Sequence, residues 1–461
     1  MEKLKRKFIG DKAFYKMILS LTLPMLIQNG ITNFVSMLDN IMVGAIGTFE
    51  MSGVSIGNQL IFVYSLCIFG AVSGAGIFGA QFYGDKNQEG IRYSFRYKII
   101  SCAVFTLLAI ALFFFFGEWL ISLYLTGDAS ATAQTLAFGK EYLNIMLIGL
   151  IPFAVTQIYV STLRECGETM VPMVAGVVAV FVNMIFNYIL IFGKLGAPVL
   201  GVAGAAIATV ISRYVELAIV MVWTHKNKAR NPYIEGVYKS LYIPKNLVKD
   251  ITVKGSPIVI NEALWGLGMA LLNQIYSVRG IDVIAAMNIN STINNVFSIV
   301  TMSMGGAIAI RMGQLLGAGE MKRANDEHTK LAFFSVAISL VFGVLMACFA
   351  SLFPMFYNTT AEIRALSTQL ILVTSCYMPV HAYMNAAYFT IRSGGKTITA
   401  FIFDCVFLWV VNIPVAYILS YHTILYIVLV YVIVCSVDIL KCILGFIMVK
   451  SGAWLQNIVR N

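Results

Sequence analysis

Twelve apolar blocks run along this chain, centred near Thr32, Leu66, Thr106, Ile148, Val180, Ile211, Leu264, Ile299, Ile338, Cys376, Leu408 and Val432. Each is roughly 20 residues or longer, enough for a helix to cross a hydrocarbon core about 30 Å thick. In lipid, every backbone N–H and C=O must be satisfied within a helix or around a closed barrel. A barrel needs strands of about ten residues that alternate with period two. Runs such as AVFTLLAIALFFFFG (Ala103–Gly117) show no such alternation. The chain therefore reads as an all-α polytopic membrane protein with twelve transmembrane helices. Its composition, 59% hydrophobic and 12% charged, excludes a soluble domain of this length.

The blocks form two copies. GAQFYGDKNQEGIR (Gly79–Arg92) is echoed by MGQLLGAGEMKRA (Met312–Ala324), and STLRECGET (Ser161–Thr169) by FTIRSGGKT (Phe389–Thr397). Pro24/Pro257, Gln81/Gln314, Gly84/Gly317 and Arg164/Arg392 each lie about 230 residues apart. Each echo occupies the same place among its helices, so the halves run in parallel. This predicts two pseudo-symmetric six-helix lobes: residues 1–225 with helices 1–6, and residues 248–461 with helices 7–12. Residues 226–247 form a polar inter-lobe loop, long enough to let the lobes move. Parallel repeats of this kind build transporters that alternate between two openings.

The net charge of +10 follows topology. Lys and Arg concentrate in the N-terminal tail (Lys3, Lys5, Arg6, Lys7, Lys12, Lys16), after the second helix (Lys86, Arg92, Arg96, Lys98) and in the central loop (Lys226 to Lys254). The intervening loops carry almost none. This positive-inside pattern places both termini in the cytoplasm of a multi-pass protein of the plasma (inner) membrane, and argues against a nucleic-acid surface. The first apolar block is long, contains Pro24 and leads into Asp39, unlike a cleavable signal. The eight Cys lie in or beside apolar blocks with no CxxC pair, and read as small core hydrophobes.

A charge at mid-membrane costs about 2.5–3.5 kcal/mol on insertion scales, so each needs a reason. Asp438 and Lys441, three residues apart, are expected to pair with each other, as are Arg213 and Glu216. Asp404 is either structural or cavity-lining. Asp39 and Glu262 have no opposite charge at helical spacing within their own segments. An unpaired buried carboxylate tends to hold a proton or a cation, the two states that a proton- or sodium-coupled carrier exchanges. Histidine is the side chain suited to proton exchange near neutral pH, although a lone helical His such as His381 is more often a structural hydrogen-bonder. Pro24 precedes Asp39 by about four turns and is a candidate hinge; simple bundle shape is the alternative.

GGKT (Gly394–Thr397) is a decoy for a phosphate-binding loop. The position five residues before Gly395 is Thr390 rather than Gly, and no strand precedes it. With no metal-ligand cluster and no nucleophile constellation in the sequence, the chain is expected not to be an enzyme and to need no cofactor beyond a coupling ion.

TLRECGETMVPM and NMIFNYILIFGKLGAPVLGVAGAAIATVISR, both within Thr162–Arg213, closely resemble the helix four to six signature of the MATE (multidrug and toxic compound extrusion) transporters. LPMLIQNGITNFVSMLDNIMVG (Leu23–Gly44) resembles that family's first helix. The resemblance spans nearly the whole chain. It implies export of lipophilic, often cationic, organic compounds in exchange for protons or sodium ions. Asp39, Asn183 and Thr209 match the family's first-lobe cation site, with Asp39 and Asn183 as candidate sodium ligands. Asn187 stands where a DinF-like branch keeps an acid, which favours the NorM-like bacterial branch. That branch's second-lobe site is matched by Glu262 and Tyr377, but its helix-ten Asp is His381 here. An imidazole is a poor ligand for a hard alkali cation, so this departure favours proton coupling or a sodium site in the first lobe. The implied partners are small organic cations and membrane lipid, with a monomeric protein and no nucleic acid. The alternative is a lipid-linked precursor flippase of the same exporter superfamily.

Overall fold

A computed structural model describes residues 8–125 and 129–460; the expected basic residues Lys3, Lys5, Arg6 and Lys7 lie outside that range. Twelve long helices follow one another: α1 Lys12–Gly44, α2 Thr48–Gly84, α3 Gln88–Ser122, α4 Ala129–Glu165, α5 Met170–Phe192, α6 Gly201–Lys226, α7 Lys245–Ser277, α8 Ile281–Gly317, α9 Met321–Phe349, α10 Ala361–Ser393, α11 Thr397–His422 and α12 Ile427–Lys450. Every expected centre falls inside its helix, and no strand occurs among the described residues. Eleven of the twelve are long and apolar enough to cross a membrane. The exception is α10, which carries Glu362, Arg364, His381 and Arg392. The polarity that disqualifies it comes partly from the candidate site.

Local chemistry sets the helix ends. Asn87 caps α3 by accepting from Gly90 N at 2.8 Å, and Thr360 caps α10 by accepting from Ile363 N at 3.3 Å. The echoed turns RECGET and RSGGKT each pass through a left-handed glycine, Gly167 at φ 83° and Gly395 at φ 77°. The repeat there conserves a backbone conformation that a side chain would strain.

The chain packs as two units. One contains Ile27–Gly79 and Asn87–Val259; the other contains the described residues up to Leu26, Ala80–Lys86 and the chain from Ile260 onward. The division by contact thus exchanges segments relative to the sequence halves. α1 changes unit two residues after Pro24, and α7 two residues after Pro257.

Within the second unit, Phe14 and Ile18 of α1 pack with Ile308 of α8, Leu331 of α9, Ile391 of α10 and Trp454. The ends of α2 and α8 cross there with near two-fold reciprocity. A Cβ on Gly84 would overlap the Gln314 carbonyl, and a Cβ on Gly317 would overlap that of Gln81. The first echo in the sequence is therefore a backbone crossing that only glycine permits. Residues 454–460 lock onto it. Gln81 Nε2 donates to Ser393 O at 2.9 Å and Gln456 O at 3.2 Å, and its Oε1 accepts from Ile458 N at 2.8 Å. Arg460 pairs with Asp85 at 2.7 Å.

Within the first unit, the inter-lobe loop is docked rather than loose. Arg96 donates to the carbonyls of Gly236, Val237 and Tyr242 at 2.9–3.0 Å, and Arg92 to Tyr233 O at 3.1 Å. Beneath it, Lys98 and Glu165 form a buried ion pair at 2.7 Å.

Candidate functional site

The first-unit candidates meet in one cluster. Asn187 Nδ2 donates to Asp39 Oδ1 at 2.6 Å and to Asn183 Oδ1 at 3.1 Å, and Asn183 Nδ2 donates to Thr209 Oγ1 at 3.2 Å. With the Asn183 amide turned over, its nitrogen serves Asp39 Oδ2 at 3.0 Å and Oδ1 at 2.9 Å, while its oxygen accepts from Thr209. Three helices supply the cluster: α1 the acid, α5 both asparagines one turn apart, and α6 the threonine. Every partner of the carboxylate is neutral; no basic side chain pairs with Asp39 among the described residues. Asn187 Oδ1 is buried with no hydrogen-bond partner among the described residues. Carboxylate, amide and hydroxyl oxygens of this kind suit a proton or a hard cation.

The second-unit candidates separate into two linked clusters. In the first, Glu262 of α7 lies 3.9 Å from Arg392 of α10. This corrects the expectation of an unpartnered acid: the base comes from another helix, where spacing within α7 could not reveal it. Neighbouring Asn261 donates to Tyr388 Oη and to Asp404 Oδ2, both at 3.1 Å, and Lys441 of α12 donates to Asp404 Oδ1 at 2.7 Å. The expected Asp438–Lys441 pair is thus replaced. Lys441 reaches across to α11, and Asp438 turns to α10 instead.

The second cluster is built on Asp438. His381 Nε2 lies 3.2 Å from its Oδ2, and Asn412 Nδ2 donates to its Oδ1 at 2.9 Å. Tyr377 meets Ser436 at 2.6 Å between the same two helices, α10 and α12. Tyr377 and His381 share this face, while Glu262 belongs to the other cluster. Arg213 and Glu216 interact through charge without a direct ion pair; Arg213 donates to Gly149 O at 3.1 Å and lies 4.9 Å over the Phe153 ring.

Sequence reading missed Asn261, Asn412 and the role of Asp438. One signal was present. Asn412 stands 229 residues after Asn183, and Asp438 229 residues after Thr209. The α5–α6 contact Asn183–Thr209 thus has its counterpart in the α11–α12 contact Asn412–Asp438. The two differ in backbone. α5 is regular, whereas α11 is π-helical over Ile402–Val406 and Leu408–Asn412, spanning Asp404 and Asn412. Such wide turns recur at functional sites.

Known proteins resemble this chain over most of its length. The MatE family model matches residues 24–189 and 257–418. The "Probable multidrug resistance protein NorM" of Thermotoga maritima is 26% identical over 415 residues, covering 88% of this chain and 85% of the relative. "Multidrug resistance protein NorM" of Vibrio cholerae is 25% identical, covering 87% of each. Among solved structures, one described as "Outward-facing conformation of a multidrug resistance MATE family transporter of the MOP superfamily" has a TM-score of 0.84 at 18% identity. It covers 96% of this chain and 97% of that one. A "Crystal structure of MATE in complex with MaL6" gives the same score and identity, with 98% coverage of both chains. This chain belongs to the MatE family and is a NorM-like multidrug antiporter, not an enzyme.

Proposed function

We propose that this antiporter exports lipophilic organic cations across the plasma membrane and draws its driving force from ion exchange at Asp39. One observation carries the reading. Among the described residues, Asp39 is an intramembrane acid held by the neutral groups of Asn183 and Asn187, with Thr209 behind them. A carboxylate without a fixed counter-charge is costly in lipid unless a proton or cation joins it. Exchange of that ion changes the stability of the lobe, which is what a coupled carrier needs. Sodium would use Asp39 and Asn183 oxygens; a proton would use the carboxylate alone. Glu262, Tyr377 and His381 are proposed to contribute to substrate or ion binding in the second lobe. Residues 1–225 and 248–461 are proposed as the two lobes, and Pro24 as the hinge, since α1 passes between packing units just beyond it. Monomeric function, cytoplasmic termini, contact with lipid and no nucleic-acid partner complete the proposal.

The test is efflux of a fluorescent lipophilic cation from proteoliposomes under a proton or a sodium gradient imposed separately. Wild-type protein is expected to respond to at least one gradient, and Asp39→Asn to insert normally but respond to neither. Gradient-driven efflux at the wild-type rate in Asp39→Asn would remove the proposed role.

A further inference from the structure

The segment after α12 is bound in two different ways. Trp454 is buried in an apolar cluster of the second unit, and its Nε1 donates to Val449 O at 3.0 Å. Its carbonyl lies so close to Gly394 that a Cβ there would overlap it. That end is an anchor. Residues 456–460 are held differently. Ile458 is the one buried apolar side chain among them, and the rest of the hold is polar. Asn457 Nδ2 donates to Leu316 O at 3.0 Å and Gly317 O at 2.9 Å, at the end of α8. Its Oδ1 accepts from the backbone N of Val459 and of Arg460, both at 3.0 Å, so the turn folds around this one side chain.

What this stretch clasps is the end of α2. That helix enters the second unit at Ala80, and Ala80–Lys86 carries both Gln81 and Asp85. The buried Gln81 amide gives all three of its bonds to the Ser393 carbonyl of α10, the Gln456 carbonyl and the Ile458 N–H. Arg460 adds its ion pair with Asp85, on a side chain that is largely in solvent. The strap thus ties the last turns of α2 to the ends of α8 and α10. Its chemistry suits release. Carbonyls at helix ends, a side-chain amide and a carboxylate all accept water in place of the strap, and a surface ion pair holds weakly. Trp454 keeps the strap attached while it is open, so reclosing is local.

We propose that residues 456–460 are a releasable latch on the end of α2, swinging on the Trp454 anchor, and that the latch must open for the export cycle to advance. Closed, it fixes the glycine crossing of α2 and α8 in one arrangement. Open, it frees the last turns of α2 to move. Exchange of a short segment between an ordered and a released state is a recurring form of switch. The inference rests on the export reading for its purpose, but the latch itself is read without transport.

Hydrogen exchange in nanodisc-embedded protein reads the latch. Residues 456–460 are expected to exchange about tenfold faster or more than the amides of α8 beneath them. Gln81→Leu keeps the bulk but loses the three bonds, and is expected to speed that exchange about tenfold again. Exchange as slow as that of α8 marks a permanent clamp and overturns the latch. Export reads its role. Asp85→Cys with Arg460→Cys, in protein whose exposed Cys348 and Cys376 are replaced by serine, is joined by a short bis-methanethiosulfonate reagent. Linked protein is expected to bind tetraphenylphosphonium within about twofold of the unlinked form. Its gradient-driven export is expected to fall about tenfold or more and to return when a reducing agent opens the link. Export at the unlinked rate after complete linking, or two positions that the reagent does not join, overturns the latch. Fast exchange at 456–460 in a protein that exports under neither gradient retains the latch as a moving part and removes the export reading.

Discussion

Lys98 and Glu165 show how much one residue can decide inside this bundle. The lysine side chain is fully buried and its ammonium also bonds Ser161 and Thr162 at 3.0 Å. Removing one partner of such a pair costs about 3–5 kcal/mol, because the other charge stays buried. Glu165→Ala is therefore expected to lower the unfolding temperature sharply in detergent. The repeat offers a rescue. Leu331 and Ser393 occupy the counterpart positions in the second half, so Lys98→Leu with Glu165→Ser is expected to recover most of the loss. A double variant no more stable than Glu165→Ala would show that the pair is not interchangeable with its repeat. Glu262 calls for the same logic in function. Glu262→Gln leaves the buried Arg392 without its acid, and the unpaired positive charge repels a cation. Affinity for a lipophilic cation should fall more than for a neutral analogue, and Glu262→Gln with Arg392→Gln should restore part of it in a binding titration. Equal losses for both ligands would mark Glu262 as a packing residue.

At the scale of elements, the crossing of α2 and α8 is set by glycine on both sides. In lipid, helices associate by close packing rather than by the hydrophobic effect, so the approach itself is the stabilising contact. Gly84→Ala is expected to cost about 1–3 kcal/mol through overpacking, measured by thermal unfolding, with Gly317→Ala doing the same from the opposite helix. No change in either variant would mean the backbones do not meet there. For α1, Pro24 removes a helical hydrogen bond just before the helix changes packing unit. Pro24→Ala should leave equilibrium binding within about twofold and slow export severalfold if bending of α1 limits the cycle. Unaltered export would leave Pro24 with a shape role only.

For the whole molecule, the twelve helices were legible because lipid forces each apolar block into one helix, with little tertiary override. The residues Asp39, Asn183, Asn187 and Thr209 were named through family resemblance, and hydrogen bonds bring them together. The partners of Glu262, Asp404, Asp438 and Lys441 were not. Spacing within a helix reveals neighbours at i+3, whereas these charges pair across α7, α10, α11 and α12. The π-helical turns of α11 shift the register there, and no residue pattern in the sequence announced them. The docked inter-lobe loop was equally hidden, since Arg96 binds backbone carbonyls that carry no sequence signature.

Ion-coupled export through Asp39 is tested most directly by one comparison: proteoliposome efflux of a lipophilic cation under imposed proton and sodium gradients, wild type against Asp39→Asn. The account predicts gradient-stimulated efflux in wild type and only the passive leak in Asp39→Asn at equal protein incorporation. Efflux that ignores both gradients in wild type, or persists at full rate in the variant, would contradict it.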